Sequence, residues 1–332
     1  MKKLTTLLFF SLLCTGIQAQ IMLKDSTVQV IGYWELGDKY EYDYINLEYD
    51  IIDGDTLPDK KTTARYSLEV VDSTANSYTL ELREISSNYQ FKDTLSQQIM
   101  YKVIDNLKKT PNIRILTNEY GRFQNIANWD EIQNAIKPHF YNLQEEIKSL
   151  FSQHMIKDQI EGSKRDSINQ MINNMVQYML QVYSNKELYL KGIEYITDMY
   201  AFHGNIYDIN KHHYTDNKVT LPFEGAQPID TQTDFFIYDY NTESSEVDFT
   251  INQYFDTDQL LEESKRFLSK IYGLGELPPA MPDKQPYLFM ESYTNYGIHT
   301  NAGWMLWMYH KHSLFQGTTQ RVNTWQVDMV FD

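Results

Sequence analysis

The sequence predicts an α+β fold: one antiparallel sheet built from two similar strand-strand-helix-strand-strand halves, with an all-helical insertion between them. Three observations carry that expectation. Arg65 to Glu84 alternates apolar and polar residues on both sides of a turn, the pattern of a half-buried antiparallel hairpin. Asp234 to Gln253 can be laid on it without a gap, so that Phe235 and Ile237 fall on Tyr66 and Leu68, and Val247, Phe249 and Ile251 fall on Tyr78, Leu80 and Leu82. Between them, from Asn128 to about Tyr200, apolar residues recur at helical spacing.

Residues 1–19 read as a signal peptide: Lys2 and Lys3, the apolar run Leu7 to Ile17, then Gln18 and Ala19. The run is shorter than the roughly 20 residues that cross a bilayer. Cys14 is preceded by Leu13, where a lipidation signal places a small residue, so lipidation is not expected. Cleavage removes Lys2, Lys3 and the single cysteine, taking the net charge from −16 to −18. A secreted domain without cysteine cannot be a disulfide scaffold, a cysteine enzyme or a Cys-based zinc protein. So acidic a surface is unsuited to nucleic acid. Every later helical run carries charges within a few residues, so no transmembrane segment is expected in the mature chain. The expected location is outside the cytoplasm, periplasmic or secreted.

Residues 20–127 form the first β-rich half. In Asp38 to Ile51 the aromatics sit on even numbers through Tyr44 and the apolar residues on odd numbers from Ile45, which predicts a bulge or bend near Tyr44. Asp53-Gly54 predicts a tight hairpin turn; Asp50, Asp53 and Asp55 lack the spacing and distal Glu of a calcium loop. After the hairpin, Leu95, Ile99, Val103 and Leu107 mark a helix, and Ile113 to Leu116 with Phe123 to Ile126 a second hairpin. Residues 128–205 are the helical insertion, opened by an Asn128/Glu131 capping pattern, with Pro138 expected to break or kink its first helix. Its later stripes run through Ile168, Ile172 and Met179, and through Leu188, Ile193 and Ile196. Residues 206–332 form the second β-rich half, packing with the first as one domain. Its helix carries Leu260, Leu261 and Phe267, Pro278, Pro279 and Pro282 follow, and a turn at Thr300 to Gly303 joins two further strands.

Chemistry is sparse. His310 and His312 present two imidazoles on one strand face, half of a zinc-type ligand set. A turn at Thr300 to Gly303 would pair His299 with Trp304 and put it about 20 Å from His310, so it cannot be the third ligand. His212 and His213 point apart in an extended chain. No nucleophile elbow, His-Glu-x-x-His or phosphate-cradling glycine loop occurs, and no carboxylate pair stands out among 45 acids. No catalytic residue is assigned and no cofactor expected. The aromatics remain: 26 Tyr, 16 Phe and 5 Trp, side chains with an apolar body and a polar tip. Trp304, Trp307 and Tyr309 are candidate ligand-lining residues, although strand alternation prevents all three from facing one side. The function expected is a non-enzymatic, exported envelope protein that binds an apolar or aromatic-compatible ligand, or an envelope protein partner, at the mouth between helices and sheet. The alternative is a secreted hydrolase using a metal on His310 and His312.

The Ala19-Gln20 end of the leader, the turn Val71 to Thr74 followed by Tyr78-Thr79-Leu80-Glu81-Leu82, and the Tyr-, Asn- and Asp-rich texture resemble exported envelope proteins of Bacteroidota, many of them uncharacterised. The resemblance touches the β-rich halves and hardly the helical zone. It implies a periplasmic or surface location and transfers no catalytic residue.

Overall fold

The computed structural model describes residues 21–22, 26–157, 162–221, 223, 225–272, 288–316 and 318–331. The expected signal peptide and the stretch with Pro278, Pro279 and Pro282 lie outside these residues. Local alternation produces the strands. In chain order they are β1 (Ile21–Met22), β2 (Thr27–Gln29), β3 (Lys39–Ile52), β4 (Asp55–Thr74) and β5 (Ser77–Phe91), then, after helix α1 (Thr94–Leu107), β6 (Ile113–Asn118) and β7 (Phe123–Ile126). Four helices follow: α2 (Trp129–Lys157), α3 (Gly162–Ser184), α4 (Lys186–Gly192) and α5 (Glu194–Thr197), the last running into a 3-10 turn at Asp198–Tyr200. The chain returns to strand as β8 (Ile206–Asp208), β9 (His213–Thr220), β10 (Pro228–Asn241) and β11 (Glu246–Phe255). Helix α6 (Thr257–Tyr272) precedes β12 (Leu288–His299), β13 (Trp304–Gln316) and β14 (Thr319–Met329).

Eleven strands form one antiparallel sheet in the order β7-β6-β5-β4-β3-β14-β13-β12-β11-β10-β9, while β1, β2 and β8 make a small separate sheet. Antiparallel β structure therefore dominates, and the expected α+β protein of two similar halves is overturned. The matched hairpins differ in build. β4 and β5 turn through two residues, pairing Thr74 with Ser77, whereas β10 and β11 turn through four, pairing Asn241 with Glu246. Tyr66 consequently faces Glu84, while Phe235, its counterpart in the gapless alignment, faces Ile251. The second hairpins diverge further: β6 and β7 have 6 and 4 residues, β12 and β13 have 12 and 13. Equal window length concealed unequal turns and bulges, because alternation repeats every two residues and matches in many registers.

The apolar face of the sheet is covered. Tyr42, Leu68, Val70, Leu80, Phe249, Tyr296 and Met308 are buried on it, against Ile196, Met199 and Tyr200 of the α5 segment and Phe202 beyond it. A second core lies among the helices, where Val103, Ile132, Ile136, Leu143, Ile147, Ile172 and Val176 come from α1, α2 and α3. The helices span the sheet from wing to wing. Lys102 of α1 pairs with Glu146 of α2 at 3.3 Å, the rings of Tyr178 in α3 and Phe267 in α6 lie 5.5 Å apart, and Gln259 of α6 accepts from the Asp230 amide of β10 at 2.7 Å.

Three local expectations are corrected. α2 continues through Pro138 as one 29-residue helix, because its stripe is buried on both sides of the proline and holds the turns in line. Asn128 stands at the helix start, its carbonyl accepting from the Ile132 amide at 3.1 Å, but its side chain turns to β6: its Oδ1 accepts from the Arg114 amide at 2.9 Å and its Nδ2 donates to the Asn112 carbonyl at 2.8 Å. β3 has no bulge near Tyr44. Tyr42, Tyr44 and Asn46 are all buried on the covered face, the irregularity falls at Glu48/Tyr49, and Leu47 sits on the open face. Asn46 can occupy an interior position because it donates to the Thr324 carbonyl at 2.9 Å. The Asp53-Gly54 turn forms as expected, with both φ angles positive, at 52° and 93°.

One end of the covered face is sealed by rings. Trp34 lies 4.8 Å from Trp304, 5.2 Å from Tyr78 and 5.7 Å from Tyr200. His203, fully buried beside Trp34, is held 2.6 Å from the Gly303 carbonyl oxygen, and burial pushes its pKa down to about 4, leaving the ring neutral. Gly303 has φ of 69°, and a Cβ there would collide with the Ile31 carbonyl oxygen. Gly303→Ala is expected to cost about 3 kcal/mol or more in urea unfolding. Gly54→Ala, whose Cβ would point into open space, should cost about 1 kcal/mol. Equal losses would show that the seal is not tightly packed.

Candidate functional site

Two cavities open between the covered face and the helical layer. The first, about 600 Å³, is bounded by β4, β5 and β6 on one side and by α1 to α5 on the other. Its walls mix apolar side chains, Tyr66, Leu82, Ile104, Ile113, Ile136 and Ile193, with the polar groups of Thr110, Asn112 and the phenol of Tyr183, which burial pushes up to about 12. Glu84 and Lys108, paired at 3.6 Å, supply a polar rim. A cavity of this size with isoleucine and tyrosine side chains beside a small number of polar groups is within the ordinary range of a small-molecule site.

The second cavity, about 400 Å³, lies further along the same face, across the β3–β14 pairing. Even-numbered residues of β3, β12 and β4 and their cross-strand partners face into it, so alternation alone selects Tyr44, Asn46, Thr294, Tyr296 and Lys60. His310 sits in its floor. Its Nδ1 is 2.7 Å from Thr294 Oγ1, its Nε2 is 3.2 Å from Ser292 Oγ, and its ring centroid is 4.2 Å from that of Trp325. Burial, with a smaller contribution from His312, takes its pKa down to about 3, and burial lowers that of His312 as well. Lys60 is paired with Glu48 at 2.6 Å. Gly192, the last residue of α4, lines both cavities, and its missing Cβ would point into open space.

The sequence-derived candidates are placed as follows. Trp304 is buried in the ring seal, 4.8 Å from Trp34 and 5.0 Å from Tyr40. Trp307 is half-buried and donates through Nε1 to Glu246 Oε1 at 2.8 Å; beside it Asp248 is pushed up to about 7 by desolvation and by Glu246 and Asp239. Tyr309 packs against Tyr293, ring centroids 5.9 Å apart. None of the three lines either cavity. His310 lines the second, and His312 turns its ring edge to Phe255. His299 pairs with Trp304, as the turn at Thr300 to Gly303 requires, but a bulge at Gly297/Ile298 sets His310 opposite Thr294 instead of Tyr293. Among the described residues no three His, Cys, Asp or Glu side chains gather as a metal set, so His310 and His312 gain no third ligand there. His212 instead pairs with Asp234 at 2.9 Å. The residue that sequence reasoning missed is Trp325, alone in the run Val322 to Val327, where alternation is visible but nothing marks which face is hollow.

No protein-family model matches the chain, and no curated protein matches it. Among solved structures, one describing lipid–protein interactions in lipovitellin superposes with a TM-score of 0.38 and 10% identity. It covers 90% of this chain, which spans 25% of that one. Among the described residues no helix is long and apolar enough to cross a membrane.

The depressed pKa of His310 has a thermodynamic consequence. Unfolding restores the free value of 6.5, so the unfolded chain takes up the proton first and stability falls as pH drops from about 6.5 towards 3. His310→Gln removes that uptake and should lose about 3 kcal/mol less stability than the parent between pH 7 and pH 4, read from urea melts at each pH. An unchanged slope would show that the imidazole is solvated.

Proposed function

We propose that this chain is a non-enzymatic, exported protein of the cell envelope that holds an apolar, aromatic-compatible ligand between its sheet and its helical layer. The observation that carries the reading is the 600 Å³ cavity, whose isoleucines and tyrosines converge from β4, β5, β6 and five helices, with Glu84 and Lys108 paired to each other. Burying an alkyl chain against such walls is worth about 0.8 kcal/mol per methylene, so a chain of moderate length would suffice for micromolar affinity. Export rests on the Lys2-Lys3, Leu7 to Ile17, Ala19 pattern, and the periplasm or the exterior is the compartment proposed with it. The hydrolase alternative has no comparable support, since the partners of His310 are hydroxyl groups.

The binding test uses the chain from residue 20 titrated with cis-parinaric acid, a fluorescent fatty acid. Saturable one-to-one enhancement is expected, weakened about tenfold or more by Ile193→Trp, which fills the cavity. Absence of saturable binding by the parent would reject the reading. For export, expression with the full leader in a bacterial host is expected to yield an extracytoplasmic species lacking about 19 residues by intact mass. Retention of Lys2 and Lys3 on cytoplasmic protein would overturn it.

A further inference from the structure

The second cavity differs from the first in which side chains supply its polar groups. Its apolar parts are the rings of Tyr44, Tyr296 and Trp325 with Ile251 and Met308, and between them stand amides and hydroxyls: Asn46, Asn323, Gln253, Ser292 and Thr294. Asn46 and Asn323 are already joined through Nδ2 and Oδ1, which fixes their planes, and Ser292 and Thr294 are held by the His310 ring. Such a wall offers preset donors and acceptors beside aromatic faces, the combination that suits a group with many hydroxyls and weakly polar C–H faces.

The charges decide which polar group fits. Among the described residues of this lining Lys60 is the one cationic side chain and is paired with Glu48, Asp198 adds a carboxylate, and the buried imidazole of His310 is uncharged at neutral pH. A phosphate or carboxylate would enter without an unpaired cation, at the cost of desolvation. A neutral group loses far less and can be repaid by hydrogen bonds. Gly192 forms part of both linings, so the two cavities adjoin at the end of α4.

We infer that the 400 Å³ cavity is a subsite for an uncharged, hydroxyl-rich ring of the sugar type, packed against Trp325 and hydrogen-bonded by the Asn46, Asn323 and Gln253 amides. Such a ring can arrive as free saccharide or as the polar end of an amphiphile whose chain fills the neighbouring cavity; the second source rests on the apolar-ligand reading above.

Isothermal titration of the chain from residue 20 with octyl glucoside, octanol, octyl phosphate and methyl glucoside, all below micellar concentrations, separates these cases. Octyl glucoside is expected to bind about tenfold or more tightly than octanol and octyl phosphate, and Trp325→Leu or Gln253→Leu should bring it to the octanol level while octanol binding is unchanged. Gln253→Leu guards against a folding defect in the tryptophan variant, and circular dichroism checks both. Methyl glucoside binding as tightly as octyl glucoside would support the subsite, assign free saccharide as the source and remove the alkyl-chain reading. Equal binding of octanol and octyl glucoside, or tighter binding of octyl phosphate, would overturn the subsite and leave the apolar cavity standing. If none of the four bound, both would fall.

Discussion

The pairing of β3 with β14 is the constraint on which the rest of the molecule depends. β3 begins a run of strands that grows outward to β7, and β14 ends a run that grows inward from β9; only this seam makes them one sheet. Its register runs from Tyr42 opposite Met329 to Ile52 opposite Thr319. A slip of one residue would turn Tyr42, Tyr44 and Asn46 to the open face and bring Asp43, Ile45 and Leu47 under the helices. Two side-chain bonds oppose the slip: Asn46 to the Thr324 carbonyl, 278 residues away, and the Tyr42 hydroxyl to the Met305 carbonyl at 3.1 Å. Both are interior, so a wrong register would leave buried polar groups unpaired as well as misplacing rings.

From that seam the covered face grades along its length. At one end Trp34, Trp304, Tyr200 and His203 pack ring against ring, with glycines where backbone passes close. Towards the other end Tyr44, Met308 and Tyr296 give way to Asn46, Thr294, Ser292 and Gln253, and the packing opens. The helical layer closes over both. It is anchored at one wing through α1 and at the other through α6, and it crosses between them on the α2–α3 core, so the cavities are walled by two layers that are each packed independently. A site so built can be hollow without collapsing, because the cost of the void is borne by contacts elsewhere in both layers.

How much was legible depends on the range of the interaction. The Asp53-Gly54 turn, the β4–β5 and β10–β11 pairings, the His299–Trp304 turn and the stripes of α1, α2 and α3 all follow from residues within a few positions of one another. Errors arose where a neighbour in space overrode the local pattern. Pro138 should interrupt a helix but is carried by buried turns on both sides. The phase change in β3 looks like a bulge because its open face also carries apolar residues. The bulge at Gly297, invisible in the residue pattern, moved His310 by one partner. The apparent duplication failed for the related reason that a two-residue period cannot tell a two-residue turn from a four-residue turn with compensating bulges.

The sequence by itself determined where the main strands and helices lie and where the tight turns fall, because these depend on contacts along the chain. Only the tertiary structure decided that Trp304 seals the core while Trp325 lines a hollow, and that His310 is a neutral, hydroxyl-bound floor residue. Those outcomes rest on which face each strand presents once β3 and β14 meet and on where the helices leave space. Both are set by contacts between residues at opposite ends of the chain, such as Tyr42 with Met329, which no local pattern encodes.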